Sequence, residues 1–128
     1  MIEWVWVRED AVLAAHDRQL AEHGGPEGLR NAGGLQSALA RARNLAAYGE
    51  PDAAALAAAY ASGIARNHPF VDGNKRTAWI AARLFFRING IRLLYDHEEA
   101  ANVMLALAAN EITEDQFAKW LRERIQQS

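Results

Sequence analysis

The chain has 128 residues, 51% of them hydrophobic, enough for a single domain over residues 1–128 with its own core and too apolar for a disordered segment. It contains no cysteine, which excludes disulfide staples and thiolate chemistry, and its net charge of −2 gives no general drive toward nucleic acid. Met1-Ile2-Glu3-Trp4 does not open like a signal peptide, and Arg83 and Arg87 interrupt the best membrane-span candidate, so a cytoplasmic protein bound to neither membrane nor nucleic acid is expected.

In chain order, Trp4-Val5-Trp6-Val7 alternates aromatic and β-branched residues and predicts a short strand. A first helix is expected from Arg8 to His23, stopped by Gly24-Gly25-Pro26. A glycine-rich connection leads to a second helix over Leu35 to Tyr48. Asp52 then caps a third over Ala53 to Asn67, whose many alanines suit burial among close neighbours. Asn74 to Asn89 is the most apolar segment and reads as a central helix, ended by the left-handed stop Asn89-Gly90. Residues 91–95 predict a second strand, pairing with 4–7 in a two-stranded ribbon. Asp96 with Glu99, and Thr113 with Gln116, have capping-box spacing and open two last helices. The expected architecture is an all-α bundle of about six helices with that one small ribbon.

Between the third and fourth helices lies His68-Pro69-Phe70-Val71-Asp72-Gly73-Asn74-Lys75-Arg76. Proline disfavours helical geometry in the residue before it, so the chain turns at His68. Phe70 can anchor the loop in the core while Asp72 faces a cleft, and Gly73 lets backbone approach a ligand without a Cβ in the way. A helix start offers free N–H groups and a positive dipole end, so Asn74, Lys75 and Arg76 at that start suit a polyphosphate. His68 is the candidate base for an attacking hydroxyl, and Asp72 the candidate Mg²⁺ ligand. Phosphoryl or nucleotidyl transfer follows from that set, since such reactions need little beyond positioning and charge neutralisation. Duller readings stand beside it: Asp72 as a turn residue, Arg76 paired with a distant carboxylate. His16 and His23 read as packing or surface residues, and Arg66 as a side chain within reach of the cleft. Arg76, Arg83 and Arg87 share one helical stripe, either a solvated face or a dock for phosphate. No Walker loop and no Gly-x-Gly-x-x-Gly is present.

The motif resembles the Fic/Doc superfamily signature His-x-Phe-x-Asp/Glu-Gly-Asn-Gly-Arg-x-x-Arg through His68, Phe70, Asp72, Gly73, Asn74 and Arg76. Lys75 replaces the second glycine and Trp79 the last arginine; Asn-Lys-Arg-Thr-Ala is the form of the death-on-curing toxins. His23-Gly24-Gly25, Gly28-Leu29-Arg30, Leu35 to Arg41, Ile64 to Asn67 and Asn89-Gly90 also look like segments of that type, so the likeness covers nearly the whole chain. Asn31 stands where such proteins often carry aspartate.

The resemblance implies a helical toxin of a type II toxin–antitoxin pair. Such toxins transfer the γ-phosphate of ATP, with Mg²⁺, to a hydroxyl of elongation factor Tu. The glycine-bearing Fic enzymes transfer AMP instead, and a noncatalytic phosphate- or partner-binding module is the third reading. The self-inhibiting pattern Ser/Thr-x-x-x-Glu-Gly/Asn of many Fic proteins is missing here, because Ser37, Ser62, Thr77 and Thr113 lack a glutamate four positions on. Inhibition by a separate antitoxin protein is therefore expected.

Overall fold

The computed structural model describes residues 2–126. Six helices follow one another: α1 (Glu9–His23), α2 (Ala32–Tyr48), α3 (Ala53–Asn67), α4 (Asn74–Ile88), α5 (His97–Ala108) and α6 (Glu114–Arg122). The fold is an all-α bundle. None of these helices is long and apolar enough to cross a membrane.

The centre of the bundle is α3, not α4, the helix expected there. Twelve of the fifteen α3 residues are buried, most of them alanines, and α2, α4, α5 and α6 all pack against it. Small side chains permit that approach. At the α2 crossing a Cβ on Gly63 would lie 2.9 Å from the Cβ of Ala38, so glycine is required for space. By contrast α4 buries Thr77, Ala78, Ala81, Ala82, Phe85 and Phe86 but keeps Lys75, Arg76 and Arg87 in solvent. Its arginines deny it an all-round apolar surface, which is why it lies beside the core helix rather than within it.

Local capping sets the helix starts. Asn31 accepts from the Gly34 N–H at 2.8 Å and begins α2 at Ala32, three residues before the expected Leu35. An asparagine oxygen performs this task as an aspartate would, so the substitution at 31 leaves the cap intact. Asp52 accepts from Ala55 N–H at 2.9 Å, and Thr113 and Gln116 complete a reciprocal capping box. Asp96 caps α5 through Glu99 N–H, but the Glu99 carboxylate turns instead to Trp120 Nε1–H and Arg124.

The expected ribbon is absent: among the described residues no ladder joins 4–7 to 91–95. The N-terminal stretch is extended and held by a side chain, with Val5 N–H donating to Asn89 Oδ1 and Asn89 Nδ2–H donating to Val5 carbonyl O. Trp4 and Trp6 lie on Phe85, with ring centroids 5.7 and 6.2 Å apart. Residues 91–95 pair with the chain after α6, through a Leu93–Ile125 bridge and Leu94 N–H donating to Arg124 carbonyl O. Alternating apolar residues satisfy an extended segment lying on a helix as well as one in a sheet.

Asp52 also receives a two-pronged pair from Arg122, tying the start of α3 to the end of α6. That guanidinium, with the Ala55 N–H, holds the Asp52 carboxyl below its ordinary value. The stabilisation is therefore complete above the unfolded carboxyl's range, about pH 4, and is lost as pH falls through the lower folded value. Asp52→Ala should cost about 1 kcal/mol for the cap and only a few tenths more for the half-exposed pair. In urea unfolding, the gap between wild type and variant should shrink on moving from neutral pH to about pH 3.

Candidate active site

The motif loop begins where α3 ends. His68 is the α3 C-cap, with φ 46° and ψ 55°, a left-handed conformation unusual for a non-glycine residue. Pro69 forbids a helical continuation, and the turn is secured from outside. The Arg30 side chain donates to His68 carbonyl O at 2.9 Å, while Arg30 and Asn31 N–H both donate to Pro69 carbonyl O. Val71 N–H donates to Gly28 carbonyl O, and Leu29 bridges Phe70. One α3 neighbour joins in, since Asn67 Nδ2–H donates to Gly34 carbonyl O at 3.0 Å. The segment before α2 thus clamps the loop along its length.

Phe70 is 1% exposed and anchors the loop in the core, as its place in the motif predicted. Asn74 has a structural task besides the one expected of it. Its carboxamide grips the Phe70 backbone twice, accepting from Phe70 N–H at 3.0 Å and donating to Phe70 carbonyl O at 2.9 Å. These two bonds hold the loop closed and leave the Asn74 backbone N–H and the second Nδ2 hydrogen outside them. Gly73 takes φ 79° at the α4 N-cap, and a Cβ there would fall 2.1 Å from Gln19 Nε2. Its glycine is required by the turn and by α1 packing together.

The remaining motif side chains face solvent: His68, Asp72, Lys75 and Arg76 are all exposed. Thr77 N–H donates to Gly73 carbonyl O, so the N–H groups of residues 74–76 have no partner within the helix. Of the six helices, α4 alone has neither a side-chain cap nor an acid in its first turn. Lys75 and Arg76 add positive charge there, and neither enters an ion pair among the described residues. An exposed imidazole beside an uncapped, cationic helix start fits a phosphate-bearing ligand. The Asp72 carboxylate lies against Gly25, where a Cβ would sit 2.5 Å from Oδ2. No group of three or more His, Cys, Asp or Glu residues capable of holding a metal occurs among the described residues. One exposed carboxylate beside a cationic helix start suits Mg²⁺, which takes few protein ligands, and does not suit a transition metal.

Other candidates lie elsewhere. Arg66 turns away to Ile112 carbonyl O at 3.4 Å. Trp79, at the position of the signature's last arginine, packs edge-on to Tyr95 and Trp120 with Arg83 over its ring. It therefore brings no clamp for outer phosphates. Arg83 donates to Tyr95 Oη, leaving Arg76 and Arg87 as the solvated part of the stripe. His23 is a surface residue near Glu22. His16 is buried, stacks on Phe70 at 3.7 Å between ring centroids, and bonds Asp72 carbonyl O at 2.7 Å. Sequence reasoning gave no site role to His16, Gln19 or Arg30. One signal was available for the first two: Val12, His16, Gln19 and Leu20 form a buried helical stripe, and polar residues inside such a stripe need a buried task.

Gly73→Ala should lose about 1–2 kcal/mol for the left-handed backbone alone, and more for the Gln19 contact. Scanning calorimetry should show the midpoint falling by about 5 °C or more. Gly49→Ala, whose Cβ meets only ordinary contacts in extended backbone, should change stability by less than about 0.5 kcal/mol.

Comparison with known proteins identifies the family. A sequence model of the Fic/DOC family matches residues 6–86, which contain the whole motif. The chain is 33% identical to "Protein kinase doc" of Escherichia phage P1 over 117 residues, 91% of this chain and 92% of that protein. It is 38% identical to "Toxin Doc" of Mycolicibacterium smegmatis over 116 residues, 87% of this chain and 85% of that protein. A family match that takes in the loop between α3 and α4, with relatives alike over most of the chain, makes this protein a member of the Fic/DOC family.

Proposed function

We propose that the protein is a toxin of the Doc type, a phosphotransferase that moves the γ-phosphate of ATP to a protein hydroxyl. The observation that carries this reading is the exposed His68, fixed in a left-handed turn beside the uncapped start of α4, with Lys75 and Arg76 in no ion pair among the described residues. The names of the two relatives, a protein kinase and a toxin, support it.

In the proposed reaction the target hydroxyl gives its proton to the His68 imidazole as its oxygen bonds the γ-phosphorus. The bond from that phosphorus to the β–γ bridging oxygen breaks, and ADP leaves. The free N–H groups of residues 74–76, with the side chains of Lys75 and Arg76, hold the phosphate oxygens. Asp72 would hold Mg²⁺, which neutralises charge on the β- and γ-oxygens when bound. Lys75 fills space where the AMP-transferring relatives carry glycine, favouring a cradle for the terminal phosphate. Exposure of all four reactive side chains suits a macromolecular substrate, since a folded target can reach them. By resemblance that target is a translation factor, elongation factor Tu, met in the cytoplasm, and the restraining partner is an antitoxin protein.

The test is incubation of purified protein with elongation factor Tu and γ- or α-labelled ATP, followed by intact-mass measurement. Transfer of γ label with about 80 Da added is expected, and about 329 Da from α label would replace the kinase reading with AMP transfer. His68→Ala should slow transfer by about 10²-fold or more while nucleotide binding persists. Full toxicity and full transfer by that variant would show that the imidazole is not the base.

A further inference from the structure

Among the described residues, a single polar contact ties α1 to the motif loop: His16 to Asp72. His16 is 3% exposed, lies parallel to the Phe70 ring at 9°, and has Nε2 2.7 Å from Asp72 carbonyl O. A carbonyl carries no hydrogen, so Nε2–H is the donor and the tautomer is set. The neighbouring Gln19 amide, also 3% exposed, lies against Gly73 with neither polar atom partnered, so it packs the loop without orienting it. The bond from His16 fixes the plane of the Asp72–Gly73 peptide. That peptide leads directly into the left-handed Gly73 at the start of α4, and the Asp72 carboxylate on its other side lies beside Gly25.

We infer that His16 is a positioning residue for the metal–nucleotide site, aiming the Asp72 carboxylate and the α4 entrance through its hydrogen bond to the Asp72 backbone. This inference rests on the proposed role of Asp72. A group that orients a metal ligand without touching the metal typically alters metal affinity by about 10–100-fold when removed. Phe70 stacking is separable from that bond, because a phenyl ring at 16 keeps the stack and lacks the donor. Glutamine reverses the exchange, presenting an N–H at nearly the reach of Nε2 without the ring.

Full-length wild type, His16→Phe and His16→Gln would be compared by calorimetric titration with ATP at stepped Mg²⁺ concentrations. Hydrogen exchange of the ligand-free proteins over residues 70–77 would be followed by mass spectrometry. For His16→Phe, the half-saturating Mg²⁺ concentration should rise about tenfold or more and loop exchange should quicken. ATP binding without the metal should weaken by a smaller factor than binding with it, and His16→Gln should lie close to wild type in both readouts. Should His16→Phe fail to fold, His16→Met supplies a flexible side chain without a donor. Equal shifts in the glutamine and donor-free variants would overturn the inference, because packing and not the bond would then matter. An unshifted Mg²⁺ midpoint in the donor-free variant would overturn it too, whatever the exchange rates. If wild type itself shows no Mg²⁺-dependent ATP binding, the reading of Asp72 fails and takes this inference with it; a working wild type with unaffected variants sinks the inference alone.

Discussion

The closeness with which α2 and α4 approach α3 governs the placement of everything at the motif. An alanine-rich helix presents little side-chain bulk, so its neighbours pack close to it, as at Gly63 against Ala38. Such packing leaves few ways to shift α3 along its axis, and interiors at this density resist compression. The last residue of α3 is therefore held in place, and that residue is Asn67, with His68 as the cap. A left-handed cap on a non-glycine residue costs about 1–2 kcal/mol. The Arg30 side chain on the His68 carbonyl and the paired strand-like segment Gly28 to Asn31 supply contacts that offset it. Burial of α3 and strain at His68 are two ends of one constraint.

Within the loop, the residues divide by direction. Phe70 and Asn74 face inward, one buried in the core and the other bound twice to the Phe70 backbone. Gly73 turns where α1 leaves no room for a side chain. These three determine shape. His68, Asp72, Lys75 and Arg76 face outward and carry the ionisable groups. A loop whose shape is fixed by its inward residues and by the segment before α2 keeps its exposed side chains in register without lending them internal partners, which is the condition preorganised sites require.

Much of this was legible in the chain because it is local. Asp52 before an alanine run and Thr113 three residues before Gln116 announce helix starts through capping chemistry alone. The turn at His68 follows from Pro69. Errors arose where a local pattern fits two environments. Trp4 to Val7 alternates as a strand does, yet it lies extended on Phe85 with Asn89 as its hydrogen-bonding partner. Gly33-Gly34 reads as a break, yet Asn31 caps a helix running through both. The apolar content of α4 exceeds the burial it achieves, because packing selects small residues as well as apolar ones. In the site, the motif positions could be named, whereas the Arg30–His68 and His16–Asp72 contacts span 38 and 56 residues. No periodicity in one sequence encodes which distant side chain meets which carbonyl.

The start of α4 runs against what a helix by itself favours. Acids near the N-terminus and bases near the C-terminus each contribute roughly 0.3–1 kcal/mol, and a side-chain cap about 1 kcal/mol. The first turns of α1, α5 and α6 carry acids, and α2, α3, α5 and α6 have caps. Only α4 opens on an uncapped glycine followed by two cations. Lost stability there is offset by its buried face, Thr77 to Phe86, which packs on α3. An anion at the α4 entrance would reverse each of these local deficits at once: the free N–H groups gain acceptors, the dipole gains its counter-charge, and Lys75 and Arg76 gain a partner. The arrangement is thus electrostatically incomplete in the free chain, and a phosphate-bearing ligand has the charge and hydrogen-bonding capacity that completes it.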